Sequence, residues 1–237
     1  TTQKLFFVST KDIVDLKETK KTETIEGSQI NMFENLKDEK NVELKNLDTL
    51  KHYYQTINTN FGIDLFLSKI LKQKIVSFDT ETTSLDALNA ELVGIAFSWE
   101  KGTGYYLPFP ENRSQCESLI SKIKPFFENE KIIKIGHNLK YDIKVLNNYS
   151  VYVQGPLYDT MIAHYLINPD GRHNLDFLAE KYLNYSCKPI ADLIGAKGKN
   201  QKNMRDVLIE DQKEYAVEDA DIAFQFKNFF DLLNKDI

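Results

Sequence analysis

The chain has 237 residues, a net charge of −5 and a hydrophobic fraction of 42%, enough for one large globular domain or two small ones. No apolar run approaches the ~18 residues that a membrane span needs, and two cysteines make no disulfide framework. We therefore expect an intracellular protein in a reducing compartment, without a membrane partner. Its acidity is atypical of a nucleic-acid binder, but metal ions in an acidic site would offset it, so charge does not exclude that class.

Composition divides the chain near residue 52. Residues 1–52 are polar and rich in lysine and asparagine after one apolar patch at 5–8. They lack a sustained amphipathic period, which predicts a partly flexible extension with a docked strand or helix. Residues 53–237 predict the globular domain.

The predicted elements of this domain mix strands and helices. Strands are expected over 53–57, 74–79, 91–99, 104–108 and 131–135, with a hairpin turn at 100–102. Helices are expected over 62–71, 114–129, 139–147, 160–167, 175–183 and 210–234. Ser114 with Glu117 predicts a capping box, and Asp159 predicts a helix N-cap. Antiparallel strands followed by strands alternating with helices indicate an α/β fold, a mixed sheet of about five strands flanked by helices.

Two carboxylates follow the second predicted strand. Asp79 and Glu81 lie one residue apart after the apolar run at 75–78. Side chains alternate along a strand, so both point to one face, about 7 Å apart. A solvent-exposed acidic strand end is the usual meaning of such a pair. Two like charges beside an apolar run are otherwise stable only with a cation between them.

The helix predicted over 139–147 carries an acid on its apolar face. At 100° per residue, Leu139, Ile143, Val145 and Leu146 form that face, with Asp142 in its middle. A buried carboxylate must be neutral, paired or bound to metal. A structural aspartate that meets a backbone group or a lysine is an equal alternative here.

The last predicted helix repeats this anomaly. Extending its apolar stripe backwards reaches Tyr215 and Asp219, one turn apart, while Glu218 and Asp221 are predicted at the edge or in solvent. The alternative for Tyr215 is an ordinary half-buried aromatic residue. The stripe itself consists of Ile222, Phe226, Phe229, Phe230 and Leu233.

These residues form one candidate constellation. Asp79, Glu81, Asp142 and Asp219 are four carboxylates facing one core, which requires neutralising cations. Oxygen ligands without histidine or cysteine favour Mg²⁺ or Mn²⁺. Two such ions, about 3.5–4 Å apart, form the arrangement that hydrolyses phosphodiesters.

Three stretches resemble the motifs of a known family. "FDTETTSLD" at 78–86, "GHNLKYDIKVL" at 136–146 and "YAVEDADIAFQF" at 215–226 are similar to the 3′–5′ proofreading exonuclease domain of family A (DNA polymerase I type) DNA polymerases, the DEDD group with tyrosine. "YDTMIAHYLINPDGRHNLDFLAEKYL" and "GAKGKNQ" are similar as well. The resemblance covers residues 53–237 and implies an RNase H-like mixed sheet.

The resemblance also implies a role for each acid. Asp79 would bridge both metals, Glu81 and Asp219 would complete the tighter one, and Asp142 would hold the second, partly through water. Glu81 and Tyr215 would position the attacking water.

The family grips the last nucleotides by stacking, sugar contacts and a phosphate-facing cation. A histidine stands at position 137 where bacterial relatives often have glutamine. The matching substrate positions are Thr82, Leu85, His137, Asn138, Tyr141 and Arg172.

The resemblance implies a metal-dependent exonuclease acting on single-stranded or frayed DNA 3′ ends, proofreading for a polymerase domain in DNA replication. The family's polymerases continue well beyond this domain, so we expect a fragment of a longer polypeptide or a free-standing exonuclease. The lysine- and asparagine-rich extension points to an AT-rich genome and a plastid (apicoplast) polymerase. Two alternatives stay open: an exoribonuclease that trims RNA 3′ ends, and a catalytically silent domain that binds nucleic acid or braces a polymerase.

Overall fold

The computed structural model describes residues 44–233; residues 1–43 of the extension predicted over 1–52, and the predicted helix end at 234, lie outside them. The strands are β1 (Tyr53–Thr56), β2 (Ile75–Thr82), β3 (Leu92–Glu100), β4 (Thr103–Pro108), β5 (Ile133–Gly136) and β6 (Leu157–Asp159). The α-helices are α1 (Asn60–Ile70), α2 (Arg113–Phe127), α3 (Leu139–Asn147), α4 (Thr160–Ile167), α5 (Leu175–Leu178), α6 (Ile190–Ile194) and α7 (Ile209–Leu233).

The six strands form one mixed sheet in the order β1-β4-β3-β2-β5-β6. Within residues 44–233, β3 alone runs opposite to the other strands, because it is antiparallel to both β2 and β4. The predicted α/β fold class with a mixed, helix-flanked sheet is confirmed. The sixth strand, β6, was not predicted, because three residues are too few to show a period of two.

Helices cover both faces of the sheet, which buries two separate apolar layers. Side chains of α1, α2 and α3 pack with Phe78, Ile95 and Phe97 in the main core. The opposite face carries Ala96 and Tyr106 against α7. The strands are therefore apolar on both sides, as strands between two helical layers must be.

Helix α7 lies close to the sheet because the residues at their interface are small. It contacts β1 to β5, and Ala216 and Ala220 face β3 and β4. A Cβ on Gly104 would lie 2.3 Å from Val217 Cγ1, so only glycine fits there. The 25 residues of α7 thus form the second layer across the sheet.

The structure tests the predicted N-terminal caps of two helices, α2 and α4. The predicted capping box at Ser114 is wrong: α2 begins one residue earlier, at Arg113, and the Asn112 side chain accepts from Gln115 N. Glu117 instead pairs with Arg113, 2.6 Å away. The predicted N-cap at Asp159 is confirmed, since its side chain accepts from two backbone N–H groups of α4.

The stretch predicted as one helix over 175–183 is divided. Its first four residues form α5, and Ala179–Leu183 form a π-helical turn that ends at Asn184, which has a φ of 52°. The hairpin turn predicted at 100–102 is present, with Gly102 at a φ of +72°. None of the helices between residues 44 and 233 combines the length and the apolar character that crossing a membrane requires.

Candidate active site

Strand β2 directs its two acids towards α7. Asp79 lies opposite Ala96 and Glu81 opposite Gly94 in the antiparallel pairing with β3. Directly opposed residues share a face, and Ala96 belongs to the layer under α7. Asp79 and Glu81 therefore lie between the sheet and α7, near the carboxyl end of β2.

Asp142 reaches the same strand end from α3. It is buried in the first turn of that helix. Its Oδ1 accepts from Thr80 N at 3.0 Å and from Thr80 Oγ1 at 2.5 Å. The residue between the two acids of β2 thus fixes the carboxylate of α3 beside them. The predicted apolar face of α3, with Asp142 in it, is confirmed.

Helix α7 contributes Asp219 and Tyr215, both half-buried. Burial raises the pKa of the Tyr215 hydroxyl well above its usual range, and the Asp219, Glu81 and Asp79 carboxylates raise it further. Tyr215 is therefore a neutral phenol beside three acids. This is the one-turn spacing that the stripe of α7 predicted.

The prediction for the two neighbouring acids of α7 is wrong, because both are buried. Glu218 accepts from Tyr185 Oη at 2.6 Å and from Lys188 N at 2.8 Å. Asp221 accepts from Tyr54 Oη and from Gly102 N, each at 2.9 Å. Helix α7 has protein on more sides than one apolar stripe indicates, and these acids are structural partners of neighbouring segments.

The four carboxylates form one acidic centre in which the pKa values of Asp79, Glu81 and Asp219 are each raised by another member. Burial is the largest cause for all four, and it raises the pKa of Glu81 to about 8 and that of Asp142 to about 7. The pKa values of Asp79 and Asp219 lie well above their usual range. Asp142, Glu81 and Asp219 all raise the pKa of Asp79, and Glu81 raises that of Asp219, so residues from β2, α3 and α7 lie close together.

The donor chemistry of this centre suits a hard cation. Glu81 Oε1 is buried and has no hydrogen-bond partner within residues 44–233, although a buried carboxylate oxygen needs one. Across the same residues, no three His, Cys, Asp or Glu side chains are arranged as a group that could hold a metal ion. The acids thus lie near one another and offer one unpaired ligand atom, but they do not form a complete coordination sphere.

Three of the predicted substrate residues lie at the end of β2. The hydroxyl groups of Thr82 and Tyr141 are hydrogen-bonded to each other, and Tyr141 Oη donates to Ser84 O. Leu85 follows in the same loop and is 93% exposed. Tyr141 thereby joins α3 to this loop, directly beside Asp142 in the sequence.

His137 and Asn138 occupy the tight connection between β5 and α3. Asn138 has a φ of 68°, a left-handed conformation that asparagine tolerates. Asp159 fixes it by accepting from Asn138 N and Leu139 N, in addition to capping α4. His137 Nδ1 lies 2.8 Å from Thr160 Oγ1, and the pKa of His137 is lowered to about 4, mainly by burial.

Arg172 lies in the exposed connection between α4 and α5. Its guanidinium carbon is 5.9 Å from the centre of the Phe177 ring. Within residues 44–233, no carboxylate forms an ion pair with it. The next residue, His173, influences the pKa of His137 through its backbone and its ring, so the Arg172 segment lies beside the β5–α3 connection.

Two residues that support the site were not predicted. Thr80 could have been suspected from its position between two acids in "DTET". No local sequence pattern indicates the role of Gly94. A Cβ there would lie 1.9 Å from Tyr106 Oη, so only a residue without a Cβ leaves room for this tyrosine of the next strand. Tyr106 lies near Glu81, which raises its pKa after burial, and its hydroxyl donates to Gln212 at 2.6 Å.

Comparison with known proteins identifies the family. A family model of A-type DNA polymerases, described as 3′-5′ exonuclease, matches residues 54–235. The chain is 37% identical over 192 residues to DNA polymerase I of Borreliella burgdorferi, covering 79% of this chain and 20% of that protein. It is 36% identical over 182 residues to DNA polymerase I of Pseudomonas aeruginosa, covering 73% and 20%.

The chain belongs to the family of 3′–5′ proofreading exonuclease domains of family A DNA polymerases. This family places it among the hydrolytic 3′–5′ exonucleases. The chain spans about one fifth of the length of these two relatives.

Solved structures share the fold across more distant proteins. Brucella melitensis NrnC matches with a TM-score of 0.59 and 21% identity, covering 78% of this chain and 83% of that one. Escherichia coli RNase D, an exoribonuclease involved in structured RNA processing, matches with a TM-score of 0.59 and 17% identity, covering 77% and 45%. At this level of identity the similarity shows the RNase H-like exonuclease fold alone.

Proposed function

We propose that this chain is a metal-dependent 3′–5′ exodeoxyribonuclease that hydrolyses the terminal phosphodiester of single-stranded or frayed DNA. The observation that carries the proposal is the partly buried acidic centre. Asp142, Glu81 and Asp219 raise the pKa of Asp79, Asp142 raises that of Glu81, and Glu81 raises that of Asp219. In this site Glu81 Oε1 has no hydrogen-bond partner among residues 44–233. Such a centre is unstable as four anions and stable once cations bind.

Two divalent ions, Mg²⁺ or Mn²⁺, fit this donor set. Carboxylate oxygens without histidine or cysteine are the ligands these ions prefer, and Asp79, Glu81, Asp142 and Asp219 would hold them. Bound there, the ions would supply an activated water and charge stabilisation for the leaving oxygen. Brucella melitensis NrnC, a protein with a similar fold, has a solved structure with bound Mg²⁺.

The protein's own groups would orient the reaction. Tyr215 is a neutral phenol, so its hydroxyl can hold a water molecule beside Glu81. Glu81 Oε1, which has no hydrogen-bond partner in the described part of the chain, could receive a hydrogen bond from that water. Thr80 fixes Asp142 with two hydrogen bonds and so limits its movement during the reaction.

The substrate strand would bind across the end of β2. Tyr141 offers an aromatic ring, and exposed Leu85 offers an apolar contact for the terminal bases. Thr82, His137 and Asn138 would contact sugars and phosphates, with Arg172 as the facing cation. Stacking and backbone contacts predict little base preference.

We assign residues 53–237 to the exonuclease domain, supported by the family match over 54–235, and residues 1–52 to an extension. The proposed partner is a polymerase domain, because the two relatives above are DNA polymerase I proteins about five times longer than the matched segment. The domain would then remove mispaired termini during DNA replication. The reducing compartment and the plastid (apicoplast) origin stay predictions from composition.

An exoribonuclease is the second candidate, because RNase D shares the fold. Matched DNA and RNA oligonucleotides of one sequence, each 5′-labelled, separate the two activities, since the 2′-hydroxyl is the main difference. We expect faster stepwise shortening of DNA, and faster shortening of RNA would overturn the proposal. A frayed 3′ end should be degraded faster than a blunt matched duplex, because melting paired bases costs free energy.

A catalytically silent domain that binds nucleic acid or braces a polymerase is the third candidate. All four acids and Tyr215 are present in this chain, which argues against it. Binding of single-stranded DNA without any shortening, in Mg²⁺ and in Mn²⁺, would support this candidate over the first two.

A further inference from the structure

Three of the four histidines of the chain lie together beside the Arg172 segment. His164 Nδ1 lies 2.7 Å from His173 Nδ1, and His164 Nε2 lies 3.0 Å from Tyr182 Oη. His164 is fully buried. His137 is the third, since both other rings lower its pKa.

The contact between His164 and His173 is a hydrogen bond between two imidazole rings. At 2.7 Å one Nδ1 must carry hydrogen and the other a lone pair. Burial lowers the pKa of His164, and nearby His173 and Lys181 lower it further, so His164 is neutral. A neutral imidazole has one donor and one acceptor, and Tyr182 and His173 use both.

This pair, together with the contact between His137 and the His173 backbone, holds the α4–α5 connection to the protein interior. The connection starts with a local turn, in which Gly171 N donates to Asn168 O. It ends at Asn174, whose carbonyl accepts from Leu178 N. Between these ends Arg172 is exposed, and the side chain of His173 is bonded to the buried His164.

We propose that His164 and His173 are positioning residues for Arg172, holding its backbone where the guanidinium meets a substrate phosphate. The inference rests on the proposed function, in which Arg172 contacts the DNA backbone. A long exposed arginine loses side-chain freedom when it binds, so a fixed backbone reduces the entropy cost of that contact. Without the imidazole pair, the loop would sample more conformations and Arg172 would bind the phosphate less often.

The test is a double-mutant cycle on the full chain. His173→Ala, Arg172→Ala and the double variant are compared by fluorescence anisotropy with a labelled oligothymidylate in chelator, and by kcat and KM in Mg²⁺. We expect Arg172→Ala to weaken binding about tenfold, the loss of one charged contact. His173→Ala should weaken it about threefold or more, raising KM without lowering kcat. In the double variant the loss should equal that of Arg172→Ala alone.

The controls separate positioning from general destabilisation. His173→Asn and His164→Asn each keep a polar amide in reach of the other ring and should restore most of the affinity. His52→Asn removes the remaining histidine, which pairs with Glu214, and should leave KM unchanged. Imidazole ¹⁵N spectra of the wild type should show hydrogen on one Nδ1 of the His164–His173 pair.

The outcomes distinguish two failures. Additive losses in the double variant, or a fall in kcat with KM unchanged, would overturn the positioning role while leaving Arg172 as a substrate contact. Unchanged binding by Arg172→Ala would instead overturn the assignment of Arg172 in the proposed function.

Discussion

Removing the Glu81 carboxylate should stabilise the metal-free protein at alkaline pH. The pKa of Glu81 rises from 4.5 to about 8 on folding, mainly because of burial and then because of Asp142. The folded state therefore binds this proton more tightly than the unfolded state. The resulting stability is present below the unfolded pKa and is lost as pH rises through 4.5 to about 8.

The size of this effect follows from the same pKa values. Each unit of difference between the folded and unfolded pKa corresponds to about 1.4 kcal/mol. Ionised Glu81 therefore lowers the free energy of unfolding by on the order of 5 kcal/mol. Glu81→Gln removes the charge and keeps the shape. In chelator at about pH 9 we expect its Tm to exceed that of the wild type by ~10 °C or more. At about pH 5 the two proteins should melt alike, because Glu81 is then protonated.

Thermal melting followed by circular dichroism across this pH range, in chelator and in Mg²⁺, is the measurement. Mg²⁺ should raise the Tm of the wild type at alkaline pH by binding the folded state, and it should raise that of Glu81→Gln much less. Glu117→Gln, at an exposed i,i+4 pair with Arg113, is the control and should change little. Identical pH dependence in the wild type and in Glu81→Gln would refute the acidic centre.

Two further substitutions test the support of the site. Thr80→Val removes the hydroxyl that donates a hydrogen bond to Asp142. Because a hydrogen bond to a charged group is lost, we expect kcat/KM at limiting Mg²⁺ to fall by ~10-fold or more. Thr80→Ser keeps the hydroxyl and should retain most activity. Equal activity of the valine and serine variants would contradict that role. Gly94→Ala places a Cβ 1.9 Å from Tyr106 Oη, so unfolding in urea should show a loss of about 1–3 kcal/mol. Gly198→Ala has open space around it, and a loss as large there would show that the effect is not steric.

The helical period found two of the four acids without any structure. Asp142 and Asp219 stand out because a carboxylate among core residues is costly, and that signal is local to one helix. The same period misplaced Glu218 and Asp221, because burial of those acids depends on Tyr185, Tyr54 and other residues distant in sequence. A single stripe describes a helix with one partner, whereas α7 has the sheet on one side and α4 and α5 on another.

Other features of the site arise only from chain pairing. The need for Gly94 appears when β3 and β4 bring Tyr106 over it. The His164–His173 bond joins two residues nine positions apart, with no periodic pattern to predict it. Ser114 shows the converse: a matching capping sequence did not form a cap, because Asn112, two residues earlier, does so.

The central claim is that the four carboxylates hold divalent ions that drive hydrolysis from the 3′ end. The direct test uses a 5′-labelled single-stranded DNA oligonucleotide with Mg²⁺, with and without chelator, beside Asp79→Asn protein. We predict a ladder of products shortening stepwise from the 3′ end, abolished both by chelator and by the substitution. Shortening that survives chelator or Asp79→Asn, or no cleavage in either Mg²⁺ or Mn²⁺, would contradict the account.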